Sequence, residues 1–120
     1  MEFMVDIVQV VIALGIFNVW ILRFSRSTRW RGGSAQNMTE EFAVYGLPSW
    51  FVWVIGTLKI SLAVLLLVGL WFPQVTQPAA IGFAALMLGA VAMHIRVQDP
   101  LEKSLPAFTL LVLSSIVAFV

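Results

Sequence analysis

Three residues carry groups able to bind charge or pass a proton within an otherwise apolar chain: Lys59, His94 and Asp99. Lys59 lies in the stretch GTLKISLA, Gly56 to Ala63, inside an apolar run from Trp50 to Phe72. Its ammonium can hold an anion, polarise a carbonyl or donate hydrogen bonds. His94 is the single histidine, and an imidazole both donates and accepts. Asp99 can bond His94, or it can cap a helix, because Pro100 suits a first helical position and Glu102 follows in the first turn. No catalytic set is assigned, since no nucleophile stands with a base. Cysteine is absent, which excludes disulfides, thiol relays and thiolate metal or iron–sulfur sites within the chain. One histidine gives no basis for an internal metal centre, so none is assigned.

These groups must be positioned by membrane helices. Of the 120 residues 61% are apolar and 11% charged, and the mean hydropathy is +0.99, a balance far from that of soluble domains. A spanning helix needs about 20 mainly apolar residues. Four segments qualify: about Met4 to Phe24, Trp50 to Phe72, Gln77 to Ile95, and Pro100 or Leu105 to Val120. The expected fold is all-α, a single integral membrane four-helix bundle over residues 1–120 with no extramembrane domain. The N-terminal segment MEFMVDIVQVV lacks the positive region of a secretory signal, and arginines follow its apolar run, so the first helix is expected to be retained.

Basic residues set the expected orientation. Arg23, Arg26, Arg29 and Arg31 lie in the first loop, Arg96 and Lys103 in the third, and none in the second. By the positive-inside rule the first and third loops are cytoplasmic and both termini face the periplasm of a bacterial inner membrane. The four first-loop arginines are also candidate contacts for anionic lipid headgroups, at about 1 kcal/mol each. Trp20, Trp30, Trp50, Trp53 and Trp71 fall near helix ends, as interface anchors do. In the same loop Asn37 and Glu40 form a capping-box pattern, and Met38, Phe42 and Tyr45 share a face. A short amphipathic helix along the inner interface follows, ended by Gly46 and Pro48.

Small residues let membrane helices approach. Gly82, Ala85, Gly89 and Ala92 form one stripe in the third span; Gly56, Ala63 and Gly69 mark the second. Lys59 shares the face of Gly56 and Ala63 and so points into the bundle. At about 1.5 Å per residue it lies near mid-membrane, where a lysine costs roughly 2.5 to 3.5 kcal/mol and is a functional-site hypothesis by default. No carboxylate lies at its depth in a linear reading; Gln9, Asn18, Ser114 and Ser115 are the polar side chains expected within reach.

The stretch FAVYGLPSWFVWVIGTLKISLAVLLLVGL, Phe42 to Leu70, followed by His94 and Asp99-Pro100-Leu101, resembles the DoxX-like family of small four-helix membrane proteins. The shared features are an aromatic-x-x-x-Gly-Leu-Pro lead into the second helix and the His with Asp-Pro-Leu before the last helix, and of the family's Gly-x-x-Glu pattern in the second helix Gly56 is kept. The likeness runs from about Phe42 to the C-terminus, with the first helix matching by position and length. The sequence departs from the family pattern at Lys59, where relatives usually carry glutamate. The resemblance implies a site at Lys59, His94 and Asp99. It also implies varied roles: a subunit of thiosulfate:quinone oxidoreductase, methylamine-utilisation maturation, an oxidative-stress membrane complex, or receptor assembly and cargo export.

Three functions follow as expectations. The first is a non-enzymatic accessory or assembly factor for a membrane-protein partner, or a homo-oligomer. The second is a membrane subunit of a quinone-linked oxidoreductase whose other redox centre lies on a partner. The third is a binder of a small hydrophobic or lipid ligand within the bundle, with Lys59 as its polar contact. No resident cofactor is assigned beyond a quinone or lipid, and the bilayer, not nucleic acid, is the expected surroundings.

Overall fold

The structure is a computed structural model that describes residues 2–26, 28 and 30–120. Among the described residues five α-helices follow in order: α1 (Glu2–Phe17), α2 (Met38–Val44), α3 (Trp50–Val68), α4 (Thr76–Arg96) and α5 (Leu105–Phe119). α1 continues through a π-helical turn, Asn18–Leu22, and a 3-10 turn, Leu101–Ser104, leads into α5. Four stretches are long and apolar enough to cross a membrane: Phe3–Leu22, Trp50–Val68, Pro73–Arg96 and Leu101–Phe119. Their outward faces carry large apolar side chains such as Leu14, Val64, Leu88 and Phe108, the pattern of helices solvated by lipid rather than water. The chain is therefore an integral membrane four-helix bundle, as the composition predicts.

α2 forms where the capping pattern places it. Asn37 Oδ1 accepts from the Glu40 N–H at 2.9 Å, and the Asn37 side-chain amide donates to Glu40 Oε2 at 2.9 Å. The helix ends before Gly46, whose φ of +79° is open to glycine at little cost. Met38, Phe42 and Tyr45 are all buried. Their face turns onto the bundle, with the Phe42 ring 6.0 Å from Trp20 and 6.5 Å from Phe51. α2 is thus a plug across one end of the bundle.

The half of the bundle that carries the chain termini is tightly packed around Ile12, Ala13, Leu66, Ala80, Phe83 and Val117. Gln9 Nε2 donates to the Leu66 carbonyl at 2.7 Å, and Gln77 Nε2 to the Ala118 carbonyl at 2.7 Å. Gly69 allows this approach, because a Cβ there would collide with Thr76 Oγ1 and come within 3.2 Å of Gln9 Nε2. On α3 the inward positions are Val52, Gly56, Lys59, Ala63 and Leu66, so Lys59 lies on the packing face as expected.

The third-span stripe is different. Ala85, Gly89 and Ala92 are exposed, and α4 buries Ala79, Ala80, Phe83, Met87 and His94 instead. The expected contact face of α4 is therefore corrected. Phe83, Met87 and His94 take the interior positions together with Ala79 and Ala80, whereas the stripe is exposed at Ala85, Gly89 and Ala92 and only Gly82 stays half-buried, beside Leu62.

Candidate binding cavity and its polar rim

The other half of the bundle, beneath α2, is hollow. A cavity of about 800 Å³ lies between the facing ends of α1, α3, α4 and α5, within the range of about 300 to 1,000 Å³ that takes a drug-sized ligand. Its walls are mainly apolar: Ile16 and Trp20 from the first span, Phe51 and Ile55 from α3, Met87 and Met93 from α4, and Leu110 from α5. Gly89 lines the cavity and is exposed, and a Cβ there would meet nothing within 4 Å.

Lys59 is the deepest charged group of the lining. It is the tenth of the nineteen residues of α3 and only 9% exposed. Its Nζ lies 5.3 Å from the centre of the Trp20 ring, and it makes no hydrogen bond or ion pair with any described residue. Of the polar side chains expected to reach it, Gln9, Ser114 and Asn18 are engaged elsewhere. Gln9 serves Leu66, Ser114 Oγ donates to the Leu110 and Leu111 carbonyls of its own helix, and Asn18 accepts from Arg23 Nε at 3.2 Å. The π turn is closed by the Arg23 N–H bonding the Asn18 carbonyl five residues back at 2.9 Å. Trp20, within that turn, is buried over Gly56, where a Cβ would stand 2.7 Å from its ring. Trp20 is therefore a wall of the cavity, whereas Trp50, Trp53 and Trp71 are exposed as interface anchors would be.

A desolvated cation–π contact contributes about 2 kcal/mol, less than the roughly 2.5 to 3.5 kcal/mol that a mid-membrane lysine costs. The Trp20 contact therefore leaves part of the cost of a lysine at this depth unmet.

At the rim His94 and Asp99 come together, as their spacing allows. His94 Nδ1 donates to Asp99 Oδ2 at 2.7 Å, and Asp99 Oδ1 accepts from the Gly33 N–H at 2.9 Å. Gly33 adopts φ +54° to present that N–H, and its carbonyl accepts from Lys103 Nζ at 2.6 Å. Asp99 is accordingly a clasp between the first and third loops and not a helix cap; the residue before the 3-10 turn, Pro100, has no side-chain cap bond. Burial raises the Asp99 carboxyl, but the Gly33 N–H, the His94 ring and the Lys103 ammonium outweigh it and hold it below the usual carboxylate range.

His94 Nε2 faces the Tyr45 hydroxyl at 3.3 Å, and that hydroxyl lies 3.2 Å from Glu41 Oε2. Glu41 is itself buried, takes the Gly32 N–H at 2.6 Å and pairs with Arg31 at 3.5 Å. Glu41, Tyr45, His94 and Asp99 thus form one hydrogen-bonded chain. Tyr45 has a single hydroxyl hydrogen, which Glu41 Oε2 accepts. Burial first, and then the Glu41 carboxylate, push the Tyr45 hydroxyl well above the ordinary tyrosine value.

The sequence singled out Lys59, His94 and Asp99 but not Glu41, Tyr45 or Trp20. One local signal was present, the four-residue spacing of Glu41 and Tyr45 on α2. The first-loop arginines separate. Arg23 and Arg26 are exposed, in keeping with a headgroup contact, and Arg29 lies outside the described residues. Arg31 is corrected: it is 4% exposed and spends its guanidinium on Glu41 and on the carbonyls of Arg23, Phe24 and Arg26, so it is a strut within the loop. Among the described residues no group of three His, Asp or Glu side chains is placed to hold a metal.

No curated protein and no solved structure matches the chain. The DoxX-like family model matches residues 7–117, which takes in the first helix as well as the motifs from Phe42 onward. With four spans, the His94 and Asp99 pair, and a family match over nearly its whole length, the chain belongs to the DoxX-like family.

Proposed function

We propose that this protein binds a small, mainly apolar ligand inside its bundle, a lipid or a quinone-like molecule, with Lys59 as the polar contact. The observation that carries the reading is the unpartnered, mid-span Lys59 facing an apolar cavity of about 800 Å³. Small-molecule sites are concave, mostly apolar and furnished with a few placed polar groups. The cavity of this chain has that form, with α2 and the rim chain closing one end. Bound-ligand analysis by native mass spectrometry and lipid extraction, on wild type beside Lys59→Met, tests it. Wild type is expected to retain a molecule that the variant loses, and ligand-free protein in both samples would reject the reading in favour of an accessory or assembly role.

A quinone-linked redox subunit is the same site with a redox partner, since the chain's own residues offer no electron path. The orientation we infer has the hollow end facing the cytoplasm of a bacterial inner membrane and both termini in the periplasm. It is supported by the loops at the hollow end, which hold Arg23, Arg26, Arg31, Arg96 and Lys103, while the short turn at the packed end, Pro73 to Val75, holds no charge.

A further inference from the structure

The charges lining the cavity do not balance. Arg23, Arg31, Lys59 and Lys103 contribute to the lining against one carboxylate, Glu41. That carboxylate is already taken by Arg31, the Gly32 N–H and Tyr45. Asp99 is occupied by His94 and Gly33. Lys103 donates to the Gly33 carbonyl and Arg23 to Asn18. Lys59 alone among these cations has no oxygen acceptor, although it is the most deeply placed and is nine-tenths buried. Glu41 acts on it only through space.

We infer that the ligand of this cavity is an amphiphile with a single anionic head, a long-chain carboxylate, whose head oxygen pairs with Lys59. The inference rests on the cavity-binding reading above and adds its charge. A buried cation without a counter-ion is costly unless a partner is supplied, and a carboxylate meeting an ammonium in a dry site forms one of the stronger hydrogen bonds available. The volume suits a single-chain or drug-sized body. Gly89 leaves room for that body along the α4 wall, since it lines the cavity and a Cβ there would meet nothing within 4 Å.

Radiolabelled hexadecanoate and its uncharged methyl ester are the probes, in equilibrium binding to protein freed of endogenous lipid in non-ionic detergent. Wild type is expected to bind the acid more tightly than the ester by about tenfold or more, the scale of one charge-assisted bond. Lys59→Met and Lys59→Gln are expected to bind both probes alike, near the wild-type affinity for the ester. The two variants differ in polarity, and the ester serves as the check that each retains the cavity. Equal affinities in wild type, or a preference that survives both substitutions, would overturn the anionic head while leaving the cavity reading in place. Binding of neither probe to the wild type would overturn both.

Discussion

Tyr45 is the only tyrosine in the chain, which makes the rim directly observable. Its hydroxyl is pushed up by burial and by Glu41, whereas an unfolded tyrosine titrates near 10. A raised folded value means that the contribution to stability is complete below about pH 10 and is lost as pH rises beyond it, because the unfolded chain then ionises first. The tyrosinate absorbance of the folded protein is therefore expected to stay absent through pH 10 and to emerge together with loss of structure. Titration near 10 in the folded state would place Tyr45 outside the Glu41 and His94 chain. Asp99 has the opposite sign. Its depressed carboxyl supports the clasp above the usual carboxylate value of about 3.9 and releases it as pH falls through the folded one. At this scale the sequence showed His94 and Asp99 together, since five positions separate them. It hid the contacts that join the loops, since Tyr45 meets His94 across 49 positions and Gly33 meets Asp99 across 66. Asp-Pro before a helix is a local capping signature, and at Asp99 the tertiary bond to Gly33 overrides it.

Among the elements, α2 carries the largest consequence for its size. Seven residues long, it is too short to be stable alone, and its reciprocal Asn37 and Glu40 cap decides whether it stays docked. Asn37→Ala is expected to cost about 1 kcal/mol and to raise amide hydrogen exchange in α2 and around Tyr45, with α3 unchanged. Exchange that rises equally in α3 would show that α2 does not open by itself. The cap, the Gly46 stop and the inward face of Met38, Phe42 and Tyr45 were all legible from spacing. What the face packs against was not, because an amphipathic stripe suits a lipid surface and a bundle end equally well. α4 shows the same limit: Gly82, Ala85, Gly89 and Ala92 read as a contact stripe, yet Phe83 and Met87 take the interior, where larger side chains fill more of the space between helices.

The whole molecule is a bundle packed at one end and hollow at the other, and the difference follows from which side chains face inward. Ile12, Leu66, Phe83 and Val117 fill the terminal half. In the other half the π turn swings Trp20 over Gly56 and leaves Lys59 beside a space that no side chain fills. Because the chain has no cysteine, its orientation can be read from single introduced thiols at the exposed Ser34 and Gln74. With an impermeant maleimide on intact cells, Gln74→Cys is expected to label and Ser34→Cys to label only after permeabilisation. The reverse pattern would invert the assigned sides.

The most direct test of the central claim is the native mass spectrum of protein taken from its own membrane, with Gly89→Leu run beside wild type and Lys59→Met. Leucine at 89 starts into open space and cavity rather than into a neighbouring helix. The fold should hold, since replacing a mid-helix glycine removes a penalty of up to about 1 kcal/mol. A wild type carrying one apolar adduct that both variants have lost is the predicted result; a wild type free of any adduct, or an adduct that persists in both folded variants, contradicts the account.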